Sequence, residues 1–132
     1  MNHIDTIKAH SPEAVAKASI KTFFNICEKW DLTVDEILRL LGTPSRATFF
    51  KWKRGEVSKL SQDQLTRVPI VLGVYKALRI LFPTEEQANK WLSKPNTHFG
   101  GEPAKVKFCS GNILSMIDVR RYLDAIRGLT AK

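Results

Sequence analysis

A cluster of cationic and hydroxyl side chains between residues 45 and 59 is the part of this sequence whose pattern most favours a chemical role. Five cations stand there against one acid, Glu56, and they are Arg46, Lys51, Lys53, Arg54 and Lys59. Two short hydroxyls, Ser45 and Thr48, lie at the start of the cluster. Such side chains donate hydrogen bonds to phosphate oxygens and base edges, so the pattern is typical of a surface that binds nucleic acid. A solvated helix face that happens to be basic is the alternative interpretation.

Two predicted helices joined by a tight turn position this cluster. Thr33 and Glu36 have the spacing of a capping box at the start of the first helix. Gly42 is expected to end that helix in a left-handed conformation, and Pro44 forbids its continuation. Ser45 then caps the second helix. Helix, short turn, helix is the helix-turn-helix plan, in which the second helix enters the major groove of DNA.

The second predicted helix ends at Gly55 and has an inner and an outer face. Phe49 and Trp52, three residues apart, are expected to point inward. Phe50 then points outward, where it touches a thymine methyl, packs on another segment or subunit, or indicates that the helix phase is wrong. Arg46 is the best candidate for a bidentate guanine contact, because its planar fork fits that base edge. The predicted DNA-binding residues are Ser45, Arg46, Thr48, Lys51, Lys53 and Arg54, the last three as phosphate contacts.

The overall composition also favours a polyanionic partner. The 132 residues carry a formal net charge of +8, although part of this charge can instead face an acidic protein. Cys27, Cys109 and three scattered histidines form no metal-binding or nucleophile–base pattern, so we predict neither a cofactor nor an enzyme. No stretch approaches the ~18 apolar residues of a membrane span, which predicts a soluble, cytoplasmic protein without membrane contact.

Apolar residues recur at helical spacing along the chain, which predicts an all-α fold. The three longest seams are Ala16, Ile20, Phe23, Cys27 and Trp30; Val68, Leu72, Tyr75, Leu78 and Phe82; and Met116, Val119, Leu123 and Ile126. A capping box at Ser61 and Gln64 opens the middle helix, while Pro69 is expected either to mark its true start or to kink it. We predict a helix-turn-helix region over residues 1–60, beginning with a flexible arm at 1–10, and a small helical domain over residues 61–132.

A spaced motif in the second half, A-x-x-W-L-x-x-P-N-x-x-x-G-G-x-P over residues 88–103, is followed by Gly111 and by a helix ending at Gly128. This pattern resembles the toxin-binding domain of the Xre/MbcA/ParS antitoxins, and it is most similar to the Xre antitoxins partnered with RES-domain toxins. The resemblance implies an antitoxin whose second domain neutralises an NAD⁺-degrading RES toxin. It also implies that the helix-turn-helix binds the double-stranded promoter DNA of its own operon and that the protein is a homodimer.

The residues expected to contact the toxin lie in the loop at 93–103 and on the last helix. They are Asn96, Phe99, Arg120, Arg121 and Arg127. Phe99 either plugs the core beneath its loop or anchors in a toxin pocket, whereas Trp91 is expected in the core. The arginines are either solvated or face an acidic or nucleotide-binding cleft of the toxin. The tail at residues 129–132 is either free or reaches into the partner's active site.

A stand-alone helix-turn-helix repressor, whose second half serves only dimerisation, is the alternative function. An exposed partner surface around Phe99, or an adjacent reading frame that encodes a toxin, would distinguish the antitoxin from this repressor. RNA binding is a weaker alternative, because the sequence lacks the exposed aromatic sheet of the usual RNA-binding modules.

Overall fold

The N-terminal part of the described chain, residues 11–60, consists of three helices. The computed structural model describes residues 11–128, so the predicted arm at 1–10 and tail at 129–132 lie outside the described residues. Helix α1 spans Pro12–Lys29, α2 spans Val34–Leu40 and α3 spans Arg46–Lys53. Each begins at a capping residue, because the side chains of Ser11, Thr33 and Ser45 all accept a hydrogen bond from a backbone N–H three residues on, and the caps at Thr33 and Ser45 are the predicted ones. The predicted helix-turn-helix is confirmed.

The turn between α2 and α3 contains two left-handed residues. Gly42 has a φ of 78°, as predicted, and Thr43 has a φ of 59°. The Thr43 N–H donates to the Leu38 carbonyl at 2.7 Å, which closes α2 in the manner of a Schellman motif. Because Pro44 follows directly, the chain leaves the helix in one fixed direction, and this turn sets the direction in which α3 begins.

The described part of the second half, residues 61–128, consists of four helices and two short 3₁₀ turns. Helix α4 spans Gln62–Leu81, α5 spans Glu85–Lys90, α6 spans Ala104–Phe108 and α7 spans Ile113–Ile126. The 3₁₀ turns cover Trp91–Ser93 and Thr97–Phe99. The capping box of Ser61 and Gln64 is formed and opens α4. The alternative that Pro69 marks the start of this helix is therefore wrong, since Pro69 lies inside it.

The buried residues form one continuous core with members from α1 to α7. All five residues of the α1 seam are buried, as predicted. The α4 seam is only partly correct: Leu72, Tyr75 and Phe82 are half-buried, and Val71, Val74 and Ala77 are buried instead. Helix α4 contacts both α1 and α7 and buries two sides, so one seam does not describe it. Ile126, at the end of the predicted α7 seam, is 52% exposed.

A buried arginine ties the helix-turn-helix to the second half. Arg67 is only 8% exposed. Its guanidinium donates to Asp63 Oδ2 at 2.8 Å, to the Arg39 carbonyl at 3.1 Å and to the Gly111 carbonyl at 2.9 Å. Arg39 in turn donates through Nε to the Cys109 carbonyl at 2.7 Å. These bonds fix α2 relative to the turn between α6 and α7.

Glu36 adds a further link between α2 and the second half. Its Oε1 accepts the Thr33 N–H at 2.9 Å, and its Oε2 lies 3.5 Å from Lys105 Nζ on α6. Burial acts to raise the pKa of Glu36, but the Thr33 N–H and the Lys105 ammonium outweigh it and hold the pKa below its usual 4.5. The carboxylate is therefore ionised and paired near neutral pH.

Candidate nucleic-acid interface and partner surface

The two hydroxyls at the start of α3 bind each other as well as the backbone. Ser45 Oγ accepts the Thr48 N–H at 3.1 Å and donates to Thr48 Oγ1 at 3.0 Å. Ser45 is exposed and Thr48 is half-buried. The cap thus holds both hydroxyls at the N-terminal end of α3, where the helix dipole favours an anion such as phosphate.

Arg46, the predicted guanine contact, is paired with Asp35 in the first turn of α2. Arg46 Nη2 lies 2.8 Å from Asp35 Oδ1, and the two side chains are 60% and 68% exposed. This partner is not evident from the sequence, because the pair joins two helices across the turn. An exposed ion pair is weak, so the guanidinium can exchange the carboxylate for a base edge or a phosphate.

The predicted phase of α3 is confirmed. Phe49 is 2% exposed and Trp52 is 8% exposed, whereas Phe50 points outward with 49% of its surface exposed. The ring of Phe50 meets that of Phe49 edge-on at 5.1 Å. The outward position of Phe50 therefore follows from correct helical geometry.

The three cations at the end of α3 are all exposed. Lys53 Nζ lies 5.0 Å from the ring centroid of Phe24 on α1, and Arg54 Nη2 lies 3.4 Å from a carboxylate oxygen of Glu56. Lys51 has no carboxylate within ion-pair distance among residues 11–128. The exposed Arg54–Glu56 pair is weak, so all three side chains can reach phosphate groups, and their assignment to DNA stays a prediction.

A cluster of four aromatic rings covers one end of the second half. This aromatic cluster consists of Trp91, His98, Phe99 and Tyr122. The ring of Tyr122 lies at the centre of the cluster, stacked with Trp91 and His98 and edge-on to Phe99. The centroid of Tyr122 lies 4.0 Å from His98, 5.4 Å from Phe99 and 6.3 Å from Trp91. His98 is exposed and the other three are half-buried. The expectation that Trp91 belongs to the core is only partly correct, and Phe99 both packs on the core and reaches the surface.

Asn96 holds the loop that carries this cluster. Its Oδ1 accepts the His98 N–H at 2.9 Å, and its carbonyl accepts the Gly101 N–H at 2.9 Å. Gly100 and Gly101 have φ angles of 71° and 87°, which disfavour any side chain. The loop is thus fixed by local bonds, and Asn96 has a structural role independent of any partner.

The three predicted arginines of α7 do not form one patch with the aromatic cluster. Arg120 donates to the Pro69 carbonyl at 3.2 Å and pairs with Asp124 at 3.6 Å. Arg127, seven residues on, shares this side of α7, which is opposite Tyr122 at ~100° per residue. Arg121 is exposed and directly precedes Tyr122 in the chain. Of the five predicted toxin contacts, the structure joins Asn96 and Phe99 in one surface and places Arg120 elsewhere.

The aromatic cluster includes two residues, His98 and Tyr122, that the sequence analysis did not select. They are 24 positions apart, so no local spacing indicates their contact.

Cys27 and Cys109 are both buried, and burial raises both pKa values, that of Cys109 to about 12. Within residues 11–128, no three His, Cys, Asp or Glu side chains converge as metal ligands, and no helix is long and apolar enough to cross a membrane.

Comparison with known proteins gives two family matches in chain order. Residues 9–68 match the antitoxin Xre-like helix-turn-helix domain, and residues 77–128 match the antitoxin Xre/MbcA/ParS C-terminal toxin-binding domain. Helix α4 spans the junction between the two matched segments. An uncharacterized protein, y4oB of Sinorhizobium fredii (strain NBRC 101917 / NGR234), is 42% identical over 118 residues, which is 89% of this chain and 91% of that protein.

Proposed function

Because this chain belongs to the Xre-type antitoxins, we propose that it neutralises a RES-domain toxin that degrades NAD⁺ and that it binds the promoter of its own operon. Its two matched domains are those of a non-enzymatic regulatory protein. The observation that carries the proposal is the toxin-binding match over residues 77–128, which includes every member of the aromatic cluster. The choice of a RES toxin rests on the likeness of the motif at 88–103 to the antitoxins of that group.

Three features of α2 and α3 support DNA binding. The hydroxyls of Ser45 and Thr48 lie at the N-terminal end of α3, and the cations Lys51 and Arg54 follow on its exposed surface. Arg46 is held at the surface by a weak ion pair. A promoter with two half-sites requires two recognition helices, so this role also favours a homodimer.

The aromatic cluster supports a protein partner for the second half. Its rings already pack against one another, and their loop is fixed by Asn96, so little side-chain entropy is lost when a partner covers them. Half-buried aromatic rings are frequent hot spots of protein interfaces. Arg121, next to Tyr122, provides a guanidinium that can bind a carboxylate or phosphate group of the toxin.

Toxin binding is tested by the affinity of the purified chain for the toxin encoded next to it. We expect Phe99→Ala to weaken binding by ~2 kcal/mol or more, the loss expected at an interface hot spot. Val15→Ala is the matched control, because Val15 is an exposed apolar residue of α1, 52% exposed and outside the cluster. Equal affinities for the two variants would exclude the cluster as the contact, whereas a wild-type chain that does not bind would exclude the antitoxin proposal.

DNA binding is tested by comparing the promoter with a random duplex. We expect Arg46→Ala to weaken promoter binding by ~1–3 kcal/mol, the value of one good base contact, with little change on the random duplex. Lys51→Ala should weaken binding to both duplexes. It should also make the slope of the logarithm of the binding constant against the logarithm of the salt concentration shallower by ~0.9. An unchanged preference for the promoter in Arg46→Ala would contradict the base contact.

A further inference from the structure

A basic cleft lies between α1 and the C-terminal end of α3. Its volume is about 510 Å³. The cations that line it are Lys17, Lys21, Lys53 and Arg54, and the single carboxylate in its lining belongs to Glu28. Two aromatic side chains, Phe24 and Trp52, belong to its apolar wall. Even with Glu13 and Glu56, which pair with two of these cations from outside the lining, positive charges outnumber negative ones, so the cleft attracts anions.

The cations of the basic cleft are only weakly engaged within the chain. Lys17 lies 3.8 Å from Glu13, and Arg54 lies 3.4 Å from Glu56, with all four side chains more than half exposed. Lys21 has no carboxylate within 4 Å among the described residues. Exposed pairs of this kind contribute little, so a phosphate can replace them at small expense.

Helix stabilisation accounts for only part of this charge. The negative end of the α3 dipole attracts Lys51 and Lys53, which lie in its last turn. Lys17 and Lys21, however, belong to the middle of α1, where no helix end attracts them. They lie four residues apart on one face, and Lys17 also borders a neighbouring cleft together with Lys51. Cations of two separate helices therefore converge beside the end of α3.

We infer that the basic cleft binds a phosphate of the DNA backbone beside the bases read by α3, with Lys21 as the contact from α1. The inference rests on the proposed DNA binding and extends it from α2 and α3 to α1, the helix that precedes them in the same domain. Lysine ammonium groups on flexible stems suit phosphate oxygens as point charges. The apolar wall formed by Phe24 and Trp52 limits access of water on one side, which strengthens the attraction between the ammonium groups and a phosphate.

The test is the salt dependence of DNA binding by the full chain. The quantity measured is the slope of the logarithm of the DNA-binding constant against the logarithm of the NaCl concentration. We expect Lys21→Gln to make this slope shallower by ~0.9 on both promoter and random duplexes, the value for one lost phosphate contact. Lys76→Gln is the matched control, because Lys76 is an exposed lysine of α4 outside the lining of the cleft. Circular dichroism of both variants confirms that the fold is kept.

The outcomes separate this inference from the proposed function. If the wild-type chain binds the promoter and Lys21→Gln shows the same salt dependence of DNA binding as the wild type, the basic cleft is not a phosphate site, while DNA binding by α3 stands. If the wild type binds neither duplex, both proposals fail. ATP serves as the probe for a free phosphate compound. A saturable, Lys21-dependent change of tryptophan fluorescence with ATP, together with an unchanged DNA slope, would overturn the assignment to DNA.

Discussion

Replacing Arg67 by methionine tests how the two halves of the molecule are held together. Methionine keeps most of the apolar stem but removes every donor of the guanidinium, so the acceptors around it stay in place without their partner. An acceptor left without a donor in a protein interior is more harmful than a hydrogen bond deleted on both sides. We therefore expect Arg67→Met to lower the free energy of unfolding.

The size of this effect follows from the three oxygen acceptors. The Gly111 carbonyl loses a donor at 2.9 Å, which costs ~1–3 kcal/mol for a buried acceptor. The Arg39 carbonyl also accepts the Gly42 N–H at 3.1 Å, so its loss is about 1 kcal/mol. Asp63 is 51% exposed and is rehydrated, so its ion pair adds ~1 kcal/mol at most. The expected total is about 2–5 kcal/mol.

Urea unfolding followed by tryptophan fluorescence and by circular dichroism measures this loss. The expected result is a lower midpoint with an unchanged slope, because the native surface area stays the same. Asp63→Asn is the matched control: it removes the carboxylate charge but keeps an oxygen acceptor for Arg67 Nε, so it should lower the free energy of unfolding by less than Arg67→Met does. A midpoint for Arg67→Met within the range of the control would refute the role assigned to this arginine.

Three further predictions concern backbone strain, pH and thiol reactivity. Gly42→Ala should lower the urea midpoint more than Gly55→Ala: both glycines are left-handed, but a Cβ at 42 would collide with a carboxylate of α4, whereas the space at 55 is open; equal losses would contradict the collision. Because the pKa of Glu36 is held below its usual 4.5, the unfolded chain binds that proton more tightly, and stability is lost as the pH falls below about 4.5. Glu36→Gln should flatten this acid limb of the stability curve, and an identical limb would be evidence against the pairing. Cys27 and Cys109 should resist alkylation by iodoacetamide at neutral pH until urea unfolds the chain, because both thiols are buried and their pKa values are raised; rapid native labelling would show that the thiols are accessible.

Features set by neighbours in the sequence were predictable from it. Ser45 caps α3 because its hydroxyl reaches an N–H three residues away, and the inward positions of Phe49 and Trp52 follow from 3.6 residues per turn. All five predicted seam residues of α1 are buried, although the helix also buries Phe24 and Ile26 beside them. These features depend only on local geometry. The family motif at 88–103 was recognisable because all of its residues lie within one short segment of the sequence.

Features set by distant contacts were not predictable. Arg67 looks like an ordinary surface arginine in the sequence, and only the fold brings the Gly111 carbonyl to it. Gly73, inside α4, leaves the room in which the Arg120 guanidinium lies. The predicted toxin contacts therefore include Arg120, which binds α4, beside Phe99 of the aromatic cluster, because helical spacing alone does not reveal which side of α7 meets α4.

Co-purification with the protein encoded by the adjacent reading frame tests the proposed antitoxin function most directly. The chain is expressed together with that protein, one of the two carries a tag, and the neighbour is also expressed alone. We predict a stable complex with a partner that arrests growth when produced alone and consumes NAD⁺. If no partner is retained while the chain still shifts its own promoter, the second half serves another purpose and a stand-alone repressor describes the protein better.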